Sequence, residues 1–193
     1  MKHFYIVLLI LLSNASFSQD VLDRYDQFGG AVTNGQEAEA FDLAEKILPE
    51  VASLSPRQQA IFYYKLAGLH EGKQHQKEAI DFYQRSLKLE PDFYVPHLAL
   101  GYLYLGLVND LARHVNAEKK DAARQAKYKN EYNAHLRKAL TYLEKAMACD
   151  PNEEALKIIK NGYKTLKDPA SLSSLDVRLE EFAKSCLSIL AED

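Results

Sequence analysis

Apolar residues along this chain recur at intervals of three and four, with polar residues between them. In the middle of the chain Leu100, Leu103, Leu107, Leu111 and Val115 keep that spacing, and Tyr128, Tyr132, Leu136, Ala139 and Leu143 keep it again after a polar break. A helix returns to the same face about every 3.6 residues, so each series predicts a helix with one buried stripe. Ser55-Pro56-Arg57-Gln58 reads as a helix start. Serine caps the end, proline takes the first helical position, and Gln58 returns a hydrogen bond. It predicts a helix over residues 56–71. Asp150-Pro151-Asn152-Glu153 repeats that chemistry and predicts a helix to about residue 167, where Asp168-Pro169 stops it. Ser173 or Ser174 then caps a last helix whose apolar residues Leu175, Leu179, Phe182, Cys186 and Ile189 share one face. Upstream, residues 21–32 and 36–53 form a helical pair around the turn Asn34-Gly35, with Pro49 dividing its second member. The expected class is all-α, about eight helices in four hairpins, with no strand signal.

Two stretches also share one longer spacing. The first runs Tyr63, Leu66, Ala67, His70, Ala79, Tyr83, Pro91; the second runs His97, Leu100, Gly101, Tyr104, Ala139, Leu143, Pro151. Small residues at Ala67, Gly101, Ala79 and Ala139 let two antiparallel helices approach, aromatics fill the remaining gap, and proline ends one hairpin before the next. Set against W-x2-L-G-x2-Y, A-x3-F and P, both stretches resemble tetratricopeptide repeats, with Tyr63 and His97 at the tryptophan position and His70 in place of an aromatic. The resemblance implies a solenoid of antiparallel helix hairpins that must stack to bury their apolar faces. Its divisions are a degenerate hairpin at 19–55, a first repeat at 56–93, a second at 94–151 and a capping hairpin at 152–193, in one domain.

Leu66 and Ala79 are thirteen residues apart, whereas Leu100 and Ala139 are thirty-nine apart, so the second repeat carries twenty-six extra residues. Their helical spacing predicts that both helices are lengthened, each by roughly 20 Å, into an arm at about 109–132. The tip is expected near 116–120. Elongated second repeats also occur in secreted bacterial tetratricopeptide proteins, which this chain resembles in that respect.

Ligands of that family usually lie in the concave groove lined by the first helix of each repeat. The resemblance therefore points to Tyr64, Leu98, Tyr102 and Leu105, with Asn109 and Arg113 continuing the line into the arm. Lys120, Arg124 and Tyr128 on the arm complete the candidate partner surface. The competing expectation is that the N-terminal helices fold over this face. The positions that clamp a peptide carboxylate in chaperone-binding members are aromatic or aliphatic here, so a chaperone tail is not the expected ligand.

Charge adds one feature. Between Arg113 and Lys138 there are eight basic and three acidic residues, a net +5 within a chain whose formal charge is −3. A second reading follows: the arm attaches the protein to anionic lipid or another polyanion at the cell envelope. The arm also offers a surface for homodimerisation. Nucleic acid is not an expected partner.

The first eighteen residues have the form of an export signal. Lys2 and His3 precede an apolar run at 4–12, and Ser16-Phe17-Ser18 before Gln19 offers small residues where a signal peptidase cuts. The run is too short for a membrane span of roughly twenty residues. The segment resembles signals of Gram-negative bacteria of the Bacteroidetes type, which implies a periplasmic or outer-membrane-associated protein, or a secreted one, without a transmembrane segment after cleavage.

Catalytic chemistry has no recognisable pattern. His-Glu-x-x-His and Cys-x-x-Cys are absent, and His70 and His75, five apart, fall on different sides of a continuous helix. The expectation is a non-enzymatic chain without metal or cofactor. Cys149 and Cys186 both sit where the pattern wants an apolar side chain, so packing in the core is their default role. An oxidising compartment leaves a bridge as the alternative.

Overall fold

A computed structural model describes residues 19–118 and 121–188, and these are all-α. The export segment 1–18, Lys120 and Ile189 lie outside the described residues. The chain divides into two compact units, the first ending at Glu90 and the second starting at Pro91.

In the first unit α1 (19–33), α2 (Glu37–Ile47), a 3-10 turn (Leu48–Ser53), α3 (Pro56–Gly72) and α4 (Gln76–Leu89) follow one another. Pro49 divides the second segment as expected: α2 stops at Ile47 and the proline enters the 3-10 turn. The Ser55 hydroxyl accepts from the Gln58 amide at 3.3 Å while the Gln58 side chain accepts from the Ser55 amide at 3.0 Å. This reciprocal box fixes the start of α3. Val21, Phe28, Leu43, Ile47, Phe62 and Leu66 are buried in one core, where the Phe28 and Phe62 rings lie 5.0 Å apart. Ala60, Ala67 and Ala79 are fully buried between α3 and α4. Ser86 and Tyr83 join the same pair by donating to the Ala60 carbonyl and the Glu71 carboxylate, both at 2.8 Å.

The second unit contains α5 (Tyr94–Ala117), α6 (Ala122–Cys149), α7 (Glu153–Thr165), α8 (Pro169–Ser173) and α9 (Leu175–Ala183). The two long helices pack along each other, and α5 ends and α6 begins around the expected tip. Asp121 caps α6 by accepting from the Arg124 amide at 3.0 Å. A Cβ on Gly101 of α5 would lie 2.6 Å from Leu143 of α6, and one on Gly162 of α7 would lie 2.5 Å from Leu140 of α6. Both glycines therefore mark places where helices meet at backbone distance.

One turn geometry ends three helices. Gly35, Gln74 and Lys167 have φ of 69°, 60° and 53°. In each case the left-handed residue donates to the carbonyl three before it, and the next residue donates to the carbonyl five before itself: Gln36 to Ala31, His75 to His70, Asp168 to Tyr163. This is the Schellman closure, which satisfies helix-end carbonyls.

Several expected boundaries move. Asp150 does not cap α7, because its amide still bonds the Ala146 carbonyl and makes it the C-cap of α6. The cap is Asn152, which accepts from the Ala155 amide at 2.9 Å. Asp168-Pro169 stops α7 but also opens α8, with Asp168 accepting from the Ser171 amide at 3.0 Å. The last helix ends at Ala183, so Cys186 is not on its apolar seam. It lies exposed in a non-helical tail and forms a disulfide with Cys149, the Cα atoms 5.4 Å apart. That corrects the expectation of two free core cysteines. The same tail makes one parallel bridge: Leu187 donates to the Asp92 carbonyl at 2.9 Å and Tyr94 donates to the Leu187 carbonyl at 3.2 Å.

The glycine contacts predict opposite signs for one kind of substitution. Gly162→Ala is expected to lose about 1–3 kcal/mol by overpacking against Leu140, and Gly101→Leu at least as much. Gly30→Ala, with nothing within 4 Å of the new Cβ, is expected to gain up to about 1 kcal/mol by reducing unfolded-state entropy. Chemical denaturation of the three variants checks this, and equal stabilities for Gly162→Ala and the parent would refute the close approach.

Candidate functional site

The candidate residues from the sequence do not form one group. Tyr64 belongs to the first unit, half-buried, with its ring 5.9 Å from that of Tyr83. In the second unit Leu98 and Leu105 pack against the core made by Val108, Leu140, Leu143 and Ile159. Tyr102, between them on α5, is 44% exposed. It borders a hollow of about 80 Å³ with Leu98, Met147, Asn152 and Ala155, so the end of α6 and the start of α7 supply the other wall of the α5 face. Of the predicted residues, only Leu98 and Tyr102 line this hollow.

The arm carries less free charge than its composition suggests. Asn109 is exposed. Arg113 is held by Asp110, one turn before it. Arg124 pairs with Glu118 at 3.1 Å and with Asp121 at 3.6 Å. Glu118 raises the Arg124 pKa further, chiefly through that hydrogen bond. The Tyr128 ring stacks on His114 at 5.0 Å. Where the arm meets α7 there is an open hollow of about 390 Å³, lined by Asn116, Lys129, Tyr132, Asn133 and Thr165.

The sequence analysis missed the most deeply placed charges, Glu144 and Lys145 of α6, which are 2% and 6% exposed. Glu144 receives a bidentate guanidinium from Arg178 of α9, at 2.8 and 2.6 Å, and a 2.5 Å hydrogen bond from the Tyr163 hydroxyl. Burial, then the Glu144 bond, raises the Tyr163 phenol well above its ordinary pKa, and the same carboxylate raises Arg178. Both shifts favour the form each group already holds at neutral pH, a neutral phenol and a charged guanidinium. The signal was present: Glu144 falls four residues after Leu140, on the buried period of α6.

Lys145 donates to Asp92 at 2.8 Å, to the Ser185 hydroxyl at 2.9 Å, and to the Ser185 and Phe182 carbonyls at 3.1 and 3.2 Å. A lysine beside a serine hydroxyl can serve as a general base only when neutral. Here Nζ is already engaged by four oxygen acceptors, one of them a carboxylate. The Lys145 bond in turn lowers the Asp92 pKa, with Ser185 contributing. The group fastens the tail 184–188 to α6 beside the disulfide; its chemistry is structural. Next to it, the His97 ring bonds the Pro91 carbonyl at 2.9 Å, and burial lowers its pKa.

In the first unit His70 and His75 come within 5.7 Å. They were expected on different sides of one helix, but α3 ends at Gly72 and the turn brings His75 back. Burial lowers the His70 pKa, and its ring stacks on Phe82 at 5.3 Å. Among the described residues no three His, Cys, Asp or Glu side chains converge as a metal site. No described helix is long and apolar enough to cross a membrane.

No family model matches the chain, and no curated protein matches it significantly.

The Glu144 cluster predicts non-additive stability. Arg178→Met leaves a buried carboxylate without its cation and is expected to cost about 3–5 kcal/mol. Adding Glu144→Leu should restore most of that loss, because the uncompensated charge is gone. Denaturant titration of the single and double variants tests the coupling; additive losses would contradict it.

Proposed function

We propose that this chain is an exported, non-enzymatic helical-repeat protein of the tetratricopeptide type, and that it binds another protein or a peptide on the face formed by α5 and α7. The repeat reading is supported by the recurring Schellman turn. Gln74 and Lys167 are 93 residues apart, which equals the twenty-six inserted residues plus two spans of about 34, to within one residue. The close contacts at Gly101 and Gly162 fit helices stacked as successive repeat members. Export rests on the composition of residues 1–18.

The binding role is carried by Tyr102. Large apolar side chains exposed among the described residues are few, namely Tyr102 and Val177, and Tyr102 sits at the rim of a hollow lined by α5, the end of α6 and the start of α7. Tyrosine supplies contact area and a polar tip at small entropic cost, which suits an anchor for a partner side chain. The polyanion-attachment reading of the arm is weaker on physical grounds, because Arg113 and Arg124 are already neutralised by neighbouring carboxylates.

Two results are expected. Protein recovered from the native envelope should begin at Gln19 or within a residue or two; an intact Met1 would end the export proposal. Immobilised mature protein should capture a specific partner from envelope extract. Tyr102→Ala should weaken that capture at least fivefold without changing the melting temperature, and unchanged capture would remove Tyr102 from the interface.

A further inference from the structure

Among the described residues, exposed lysines outside any ion pair occur on α6 (Lys127, Lys129 and Lys138) as well as on α7, where they gather on one face. Lys157, Lys160, Lys164 and Lys167 are all exposed. Lys157, Lys160 and Lys164, spaced by four residues or fewer, form one stripe on α7, about 10 Å long at 1.5 Å per residue, and Lys167 follows in the turn beyond the helix end. Among the described residues no carboxylate forms an ion pair with any of the four, in contrast to Arg113 and Arg124 on the arm. The acids of α7, Glu153 and Glu154, are confined to its first turn. Lysines in the last turn are favoured by the helix dipole, but that does not account for Lys157 and Lys160 at the middle of the helix.

The stripe also has shape. Lys157, Lys160 and Lys164 border an open hollow of about 410 Å³, with Glu153, Leu156 and Asn161 also in its lining. Asn161 is one turn before Thr165, which borders the hollow at the base of the arm beside Lys129. Peripheral helices that bind lipid add apolar residues beside their cations. Here the residues between the lysines are Asn161 and the half-buried Leu156 and Ile158. A segment of polypeptide can fill the hollow and bring its own charges.

We infer that the outer face of α7 is a docking surface for an acidic linear segment of a partner protein, with carboxylates on Lys157, Lys160 and Lys164 and one apolar side chain toward Leu156. Lysines act as mobile point charges rather than rigid forks, so the surface reads acidity and spacing more than exact sequence. Salt weakens the contact, since the charges are exposed. This inference rests on the protein-binding reading and assigns the partner its chemistry.

The test uses a fluorescein-labelled peptide of repeated Glu-Glu-Leu, a Gln-Gln-Leu peptide of equal length and phosphatidylglycerol vesicles, with the full described chain. The acidic peptide should bind at low salt and the neutral one should not. Lys157→Glu with Lys160→Glu and Lys164→Glu should lower affinity at least tenfold at unchanged melting temperature. The corresponding lysine-to-glutamine variant, which avoids crowding three acids together, should also bind weakly, while Arg124→Glu with Lys127→Glu should bind as the parent does. Equal binding by the α7 variants, or binding to vesicles and not to the acidic peptide, overturns the inference. If the captured partner is lost with Tyr102→Ala but kept by the α7 variants, the inference fails and the protein-binding reading stands; if the parent captures no partner, that reading fails too.

Discussion

The second unit depends on how closely α6 is approached from both sides. Leu143 sits over Gly101 of α5 and Leu140 over Gly162 of α7, each where a methyl group would collide. Leucine against glycine brings the helices together at backbone distance and buries the leucines completely. Such contacts tolerate little volume change, because dense interiors have no slack to absorb a new methyl. The approach has a second effect: Glu144 and Lys145, following Leu143 directly, enter the interior and must be satisfied there. Arg178 and Tyr163 satisfy the first, and the tail at Ser185 with Asp92 satisfies the second. The disulfide from Cys149, one turn beyond Lys145, ties that tail to the same helix. A packing choice on one helix therefore dictates where α9 and the tail go.

Local chemistry made much of the helical order legible. Ser55 and Gln58 declared a capping box, Pro49 divided a helix, and unbroken apolar spacing revealed that α5 and α6 extend far beyond a usual repeat. The errors came where two local signals competed. Asp150-Pro151 looks like a helix start, yet α6 claims Asp150 through the Ala146 carbonyl. Cys186 fits the apolar period of α9, yet the helix stops at Ala183, and nothing in the period announces that stop. The partners of Glu144 and Lys145 lie 19 to 53 residues away, so the helical period marks Glu144 as buried but no local pattern names what satisfies it.

The candidate surface was legible only in part. Leu98 and Tyr102 do border one hollow, but its other wall comes from the end of α6 and the start of α7, and α7 carries no recognisable repeat signature in sequence. Composition pointed to the arm as the basic element. Geometry redistributes that charge: acids one turn away or across the tip neutralise the arm arginines, while Lys157, Lys160 and Lys164 form no ion pair among the described residues. A net charge counted along sequence weighs every residue equally. Potential at a surface depends on which charges stand unpaired and on one side.

The proposed binding face lies on α5 and α7, where an exposed tyrosine and a stripe of lysines lie on helices held by the glycine contacts. Amide hydrogen exchange of the chain, alone and with its captured partner bound, measures this most directly. The account predicts added protection on α5 around Tyr102 and on α7 between Lys157 and Lys164, with the arm tip unchanged. Protection confined to the arm, or to the first unit around Tyr64, would contradict it.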